Sequence, residues 1–168
     1  MILLLCALTA HSQTAARSDS EPEKEAPLHV VSDKMIAVRP SAMVEFIGNV
    51  KATRLDSTVY ADSIKVFFND SSGAETQPRG NVKKIISTGN VRYTAGDRKA
   101  FADRAVYTTA DQILVLSGES AKLMTGTSFV AGKKITLYQA EDKVIVESDG
   151  TNRVEALFNP GDESPDGQ

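Results

Sequence analysis

The sequence is poor in the residues that build reactive or cross-linked sites. It has one cysteine, two histidines and no tryptophan in 168 residues. A disulfide within the chain needs a second thiol, and thiolate or multi-histidine metal centres need more ligands than this inventory holds. The expectation is a protein with no metal and no cofactor. Aromatic residues are 6% of the chain, so any core must rest on Val, Ile, Leu and Ala. Charge of one sign is not in excess either: 19 Lys and Arg against 22 Asp and Glu leave a net -3. That excludes general polyanion binding driven by net charge and predicts no nucleic-acid partner. With 41% hydrophobic and 24% charged residues, a chain of this length suits one ordinary folded domain.

The run Ile2 to Ala10, apolar apart from Thr9, falls short of the roughly 20 residues that a spanning helix needs. Polar His11 to Thr14 follow at once. Residues 1–16 read as a secretory signal peptide, with Ala10-His11-Ser12 or Thr14-Ala15-Ala16 as the small-x-small cleavage site. No Lys or Arg precedes the run, which points to a start codon upstream of Met1. Cleavage would remove Cys6 and leave a mature chain indifferent to an oxidising compartment. Residues 17–27 and 159–168 are charged, Pro-punctuated and almost free of large apolar side chains, so they read as a disordered leader and tail around a domain over 28–158.

Inside that domain the signal is alternation. Val44 to Ala52, Ser63 to Phe68, Asn90 to Tyr93, Ile135 to Leu137, Lys143 to Val146 and Arg153 to Phe158 are short runs of alternating apolar and polar residues that include β-branched ones. Turn signals separate them at Asn69 to Gly73, Ala95-Gly96-Asp97, Thr125-Gly126-Thr127 and Asp149-Gly150. The rhythm predicts an all-β, antiparallel roll, sandwich or barrel with no substantial helix outside the signal segment. A repeat lies within it. Gly48-Asn49-Val50 is followed by Ala61-Asp62, and Gly89-Asn90-Val91 by Ala102-Asp103 at the same offset. A degenerate third copy runs from Gly118-Glu119-Ser120 to Ala131-Gly132. Units of this kind bury their apolar faces by stacking, which implies an elongated shape. Each Gly reads as a bulge or bend, since no phosphate-cradling motif surrounds it.

Catalytic patterns are missing. His29 stands alone in what reads as the first strand, and no Ser lies in a nucleophile elbow. Asp62 and Asp103 occupy equivalent repeat positions, where paired turn or cap hydrogen bonds explain them better than acid/base work. Lys83-Lys84 and Lys133-Lys134 are too small a footprint for nucleic acid and read as solvated strand ends. The protein is not expected to be an enzyme.

The ordered series Pro27 to Lys34, Phe46 to Val50, Tyr60 to Phe67, Phe101 to Tyr107, Ile113 to Ser120, Gly132 to Leu137 and Arg153 to Pro160 resembles the OstA-like family. Two departures are the polar insert Asn69 to Asn81 and the missing basic start of the signal. The resemblance implies an antiparallel β-jellyroll, two sheets opened like a V around an apolar trough. It further implies a periplasmic protein that binds lipopolysaccharide through lipid A and stacks head to tail with copies of itself. Such a stack joins an inner-membrane export complex to an outer-membrane translocon.

On that reading the trough lining is Val30, Val44, Phe46, Val50, Ile64, Val66, Phe68, Val91, Tyr93, Tyr107, Leu114, Leu116, Leu123, Ile135 and Leu137. A one-residue slip of register would turn any of these runs over, and Ile113 to Leu116 is apolar on both faces. Arg54 or Lys83, near an open edge, would meet lipid phosphates. Three other readings compete: the membrane-anchored partner of the same pathway, which shares the roll; a structural β-repeat protein that binds no lipid; and a hydrolase of envelope glycans using Asp62 and Asp103.

Overall fold

The structure is a computed structural model, and it describes residues 27–38, 41–69, 82–151 and 153–160. The signal segment, most of the leader, the insert from residue 70 to 81 and the tail from 161 lie outside the described residues.

In the described residues the chain is almost wholly strand. Two short strands, β1 (His29–Val31) and β2 (Lys34–Val38), precede six long ones. These are β3 (Met43–Arg54), β4 (Ser57–Phe68), β5 (Val82–Ala95), β6 (Arg98–Thr108), β7 (Ile113–Thr125) and β8 (Ser128–Tyr138). A 3₁₀ turn over Gln139–Glu141 leads to β9 (Lys143–Glu147), and β10 (Glu155–Leu157) closes the series. No helix among the described residues is long and apolar enough to cross a membrane. The strands form one 10-stranded antiparallel sheet in which β3 to β8 meander in chain order. Both β1 and β2 lie against β3, one on each half of it, and β9 and β10 divide β8 in the same way.

The alternation expected from sequence is therefore real, but the runs are longer than they read. Gly-Asn pairs do not end strands; they bend them. In the β3–β4 pairing, Ile47 faces Ser63 and Val50 faces Ala61, so Gly48 and Asn49 together oppose Asp62. In the β5–β6 pairing, Thr88 faces Arg104 and Val91 faces Ala102, so Gly89 and Asn90 oppose Asp103. The repeat offset places each Gly-Asn bulge beside the Ala-Asp of the following strand. Bulges kink and twist a strand, and a row of them in register creases the whole sheet. The two walls of the roll are halves of one creased sheet rather than separate sheets, because every long strand runs through both.

Gly48 and Gly89 have φ of +81° and +76°, and Asn49 and Asn90 follow at +46° and +48°. Gly and Asn are the residues that tolerate this left-handed region. The third copy departs: Gly118, Glu119 and Ser120 bulge out against Lys133 alone, and none of them has positive φ. Its turn chemistry is weaker, in keeping with its degenerate sequence.

Candidate ligand trough

Register fixes which side chains share a face. One transverse row runs Phe46–Ile64–Ser87–Ala105–Leu116–Ile135, from β3 across to β8. Two residues further along each strand, a second row runs Val44–Val66–Ile85–Tyr107–Leu114–Leu137. Beyond the crease the same face continues as Val30–Ala52–Val59–Tyr93–Ala100–Leu123–Val130. Most members of these rows, with the crease residues Val50, Ala61, Val91, Ala102 and Ala121, form one apolar cluster.

Of the lining expected from sequence, all but Val44 and Tyr107 lie in that cluster or pack against it. Val44 is buried nearby, and Tyr107 stands in the same row as Ile85 and Leu114. The Tyr107 hydroxyl donates to Gln139 Oε1 at 3.4 Å. Sequence reasoning missed Val59, Ile85, Ala105, Val130 and the alanines of the crease. Ile85-Ile86 is apolar on both faces, so only the pairing with Val66 and Tyr107 orients it. In Lys99 to Asp103, the small Ala100 and Ala102 point inward and the large Phe101 lies outside, level with Arg92 and Lys122. Where a crease brings two walls together, alanine fits and phenylalanine does not.

Burial is most complete at and next to the crease and less complete in the outer rows, although Val44, Val66, Ala52 and Ala100 are buried there too. Ala121 and Ile135 are 0% exposed, Val50 1% and Leu116 2%. Phe46, Phe68, Tyr93, Tyr107, Leu114, Leu123 and Leu137 are only partly buried, although they face the same interior. The inner face is thus sealed at its fold line and open towards its rims. Its two terminal edges are apolar as well: Val31 and Met35 are 53% and 61% exposed at one end, Leu157 and Phe158 45% and 75% at the other.

Hydrogen bonds reinforce the crease. Asn49 Nδ2 donates to Asp33 Oδ2 at 2.9 Å and Asn90 Nδ2 to Asp62 Oδ2 at 3.0 Å, while the Glu119 amide donates to Asp103 Oδ2 at 2.8 Å. Each carboxylate serves the bulge of the next hairpin, a role sequence assigned to Asp62 and Asp103 in kind but without Asp33. His29 lies exposed in β1 opposite Thr53. Lys133 and Lys134 pair with Asp149 and Glu147. Among the described residues no cluster of His, Cys, Asp and Glu could hold a metal.

The outer face differs. Lys51 and Arg92 flank the Tyr60 ring, 5.9 and 4.7 Å from its centroid, and Lys122 lies 3.8 Å over Phe129. On the inner face, burial lifts the Tyr93 hydroxyl above the usual tyrosine pKa; the Asp56 carboxylate adds to the rise and the Arg98 guanidinium opposes it. Tyr93 therefore remains neutral at physiological pH. A polar notch lined by Glu119, Ser120, Lys133, Thr151, Arg153 and Glu155 opens where β9 and β10 diverge. It lies at the sheet edge and belongs to none of the three apolar rows.

A creased antiparallel sheet whose inner face is aliphatic, open at its rims and apolar at its ends defines a β-roll of the OstA type. The sequence signature of the LptA/(LptD N-terminal domain) LPS transport protein family matches residues 29–143, and the chain belongs to that family. An uncharacterised protein of Rhizobium meliloti strain 1021 is 22% identical over 158 residues, covering 94% of this chain and 84% of that one. Among solved structures, the chain is similar to LptH, the LptA-homologous periplasmic component of the lipopolysaccharide transport device of Pseudomonas aeruginosa. The TM-score is 0.66 at 16% identity, with 81% of this chain and 97% of that one covered. Family and fold are consistent with a periplasmic location.

Proposed function

We propose that this protein is the periplasmic lipopolysaccharide transport protein A of its cell. It shelters the acyl chains of lipid A in the trough and bridges the inner-membrane export complex to the outer-membrane translocon. Copies join head to tail by strand addition. It performs no catalysis; the work of moving lipid is done elsewhere in the pathway.

The observation that carries this reading is the outward gradient of burial on a continuous apolar face. An ordinary dry core seals its apolar side chains on all sides, whereas here most members of the rows away from the crease retain accessible surface, Val44, Val66, Ala52 and Ala100 being the buried exceptions. Each methylene removed from water is worth about 0.8 kcal/mol, so an acylated lipid gains strongly from such a face. Supporting the assembly is the placement of Met35 and Val31 at one end and Leu157 and Phe158 at the other. Terminal strands β1 and β2 at one end and β9 and β10 at the other offer backbone for pairing with a neighbouring protomer.

The test is photocrosslinking in cells. A photoreactive residue at Phe46 or Tyr107, both on inner rows, should capture lipopolysaccharide. The same residue at Lys51, on the outer face against Tyr60, should not. Equal labelling at the three positions would remove the trough from consideration.

A further inference from the structure

Beyond the inner row of Val30, Ala52, Tyr93 and Leu123, the same face changes character at its rim. The next transverse row is Arg54–Ser57–Ala95–Arg98–Thr125–Ser128, beside the hairpin turns. Alternation places Arg54 on the side of buried Ala52, and Arg98 on the side of buried Ala100. Both arginines are exposed, and neither has an ion-pair partner among the described residues. By contrast, Lys65, Lys134 and Lys143 in the other half of the sheet are paired with Glu45, Glu147 and Glu141. The rim hydroxyls are engaged locally, Ser57 Oγ donating to the Arg54 carbonyl and Ser128 Oγ accepting from the Asn159 amide. At the opposite rim, beyond the row Val44 to Leu137, Lys83 is exposed beside Val82.

From the crease outward, one wall therefore passes from closed aliphatic to open aliphatic to cationic. We propose that Arg54 and Arg98 form a headgroup site for an acylated ligand bearing two phosphate esters. The acyl chains lie in the trough, and a guanidinium meets each phosphate at its mouth. This inference rests on the trough reading and specifies the polar end of its ligand.

Three strand spacings separate Arg54 on β3 from Arg98 on β6, about 14 Å along the row. That span suits two separate anions better than one, and guanidinium pairs with phosphate in a bidentate fork. Asp56 and Asp97 occupy the neighbouring turns and moderate the attraction without pairing with either arginine. The Tyr93 hydroxyl, on the neighbouring inner row, lies within the field of both Asp56 and Arg98.

The experiment measures binding of bisphosphorylated lipid A and of its fully dephosphorylated form to the wild-type chain and to an Arg54→Gln, Arg98→Gln variant. Wild type should bind the bisphosphorylated lipid about tenfold more tightly than the dephosphorylated one, and the variant should lose that preference. Affinity for the dephosphorylated lipid should be the same in both proteins, which also reports that the variant is folded. An Arg54→Lys, Arg98→Lys variant should recover part of the preference through charge alone. Equal binding of both lipids by wild type and variant would overturn the rim site and leave the trough standing. Failure of wild type to bind either lipid would overturn both.

Discussion

Asn90 on β5 donates its side-chain amide to Asp62 on β4 at 3.0 Å, joining two successive hairpins at the line where the sheet bends. The bond ties the conformation of the Gly89-Asn90 bulge to the neighbouring strand, and Asn49 with Asp33 repeats it at 2.9 Å. The crease is held by paired polar groups on its outer side and by small apolar ones within.

Replacing Asp62 by Ala should cost about 1 kcal/mol of stability, the net worth of one such hydrogen bond. Gly89→Ala should cost more, about 2 kcal/mol, because φ is +76° and the new Cβ would run into the Asp62 carboxylate. Combining Gly89→Ala with Asp62→Ala removes the carboxylate from the clash but leaves the Cβ of residue 62 at 2.8 Å and the strained φ, so the double variant should fall short of the sum. Denaturant unfolding of the three variants measures this coupling, and strict additivity would separate the two residues.

Ile135 and Leu123 both face the interior, but Ile135 is 0% exposed and Leu123 only partly buried. Ile135→Ala should destabilise by about 2–4 kcal/mol through lost transfer energy and a residual cavity. Leu123→Ala should cost roughly half of that or less while weakening capture of acylated lipid. Unfolding midpoints together with lipid pull-down separate the structural half of the interior from the ligand-facing half. Equal stability losses would mean that the burial gradient has no energetic counterpart.

How much of this could be read from the residues depends on whether a local pattern determined the answer. Val44, Phe46, Ile64 and Val66 alternate cleanly with polar neighbours, so their face was legible. Gly48-Asn49 and Gly89-Asn90 marked the bends because few other residues adopt their φ. Ile85 next to Ile86, and Phe101 between Ala100 and Ala102, were not legible, since their orientation is set by partners on other strands. Asp33 stands outside the Gly-Asn repeat, and only its contact with Asn49 gives it a role. Arg98 follows Gly96-Asp97 as any charged residue follows a turn; only the register that aligns it with Arg54 gives it meaning.

The turn between β3 and β4 was missed for a different reason: Leu55-Asp56 lacks the usual Gly or Asn. Leu55 holds φ +53° and is 71% exposed, so it is strained and solvated at once. The two other hairpin turns of this end place Gly96 and Gly126 at the corresponding position. Leu55→Asn should raise stability by about 0.5–1 kcal/mol, since Asn enters the left-handed region readily. The check is the melting temperature, and an unchanged or lower value would mean that Leu55 makes a compensating contact.

Tyr93 gives the fold an alkaline limit. Its hydroxyl, raised above the ordinary tyrosine value of 10.0 mainly by burial, resists ionisation in the folded chain, whereas the unfolded chain ionises near that value. A group whose folded pKa is raised contributes its full stability below the unfolded pKa. That contribution is lost as pH rises from about 10 through the folded value, because the unfolded state then releases the proton first. Tyr93→Phe removes the titrating group and keeps the ring. The wild type should lose melting temperature faster than Tyr93→Phe above pH 10, with parallel profiles between pH 7 and 9. Parallel profiles throughout would mean that the phenol ionises as easily in the wall of the trough as in water.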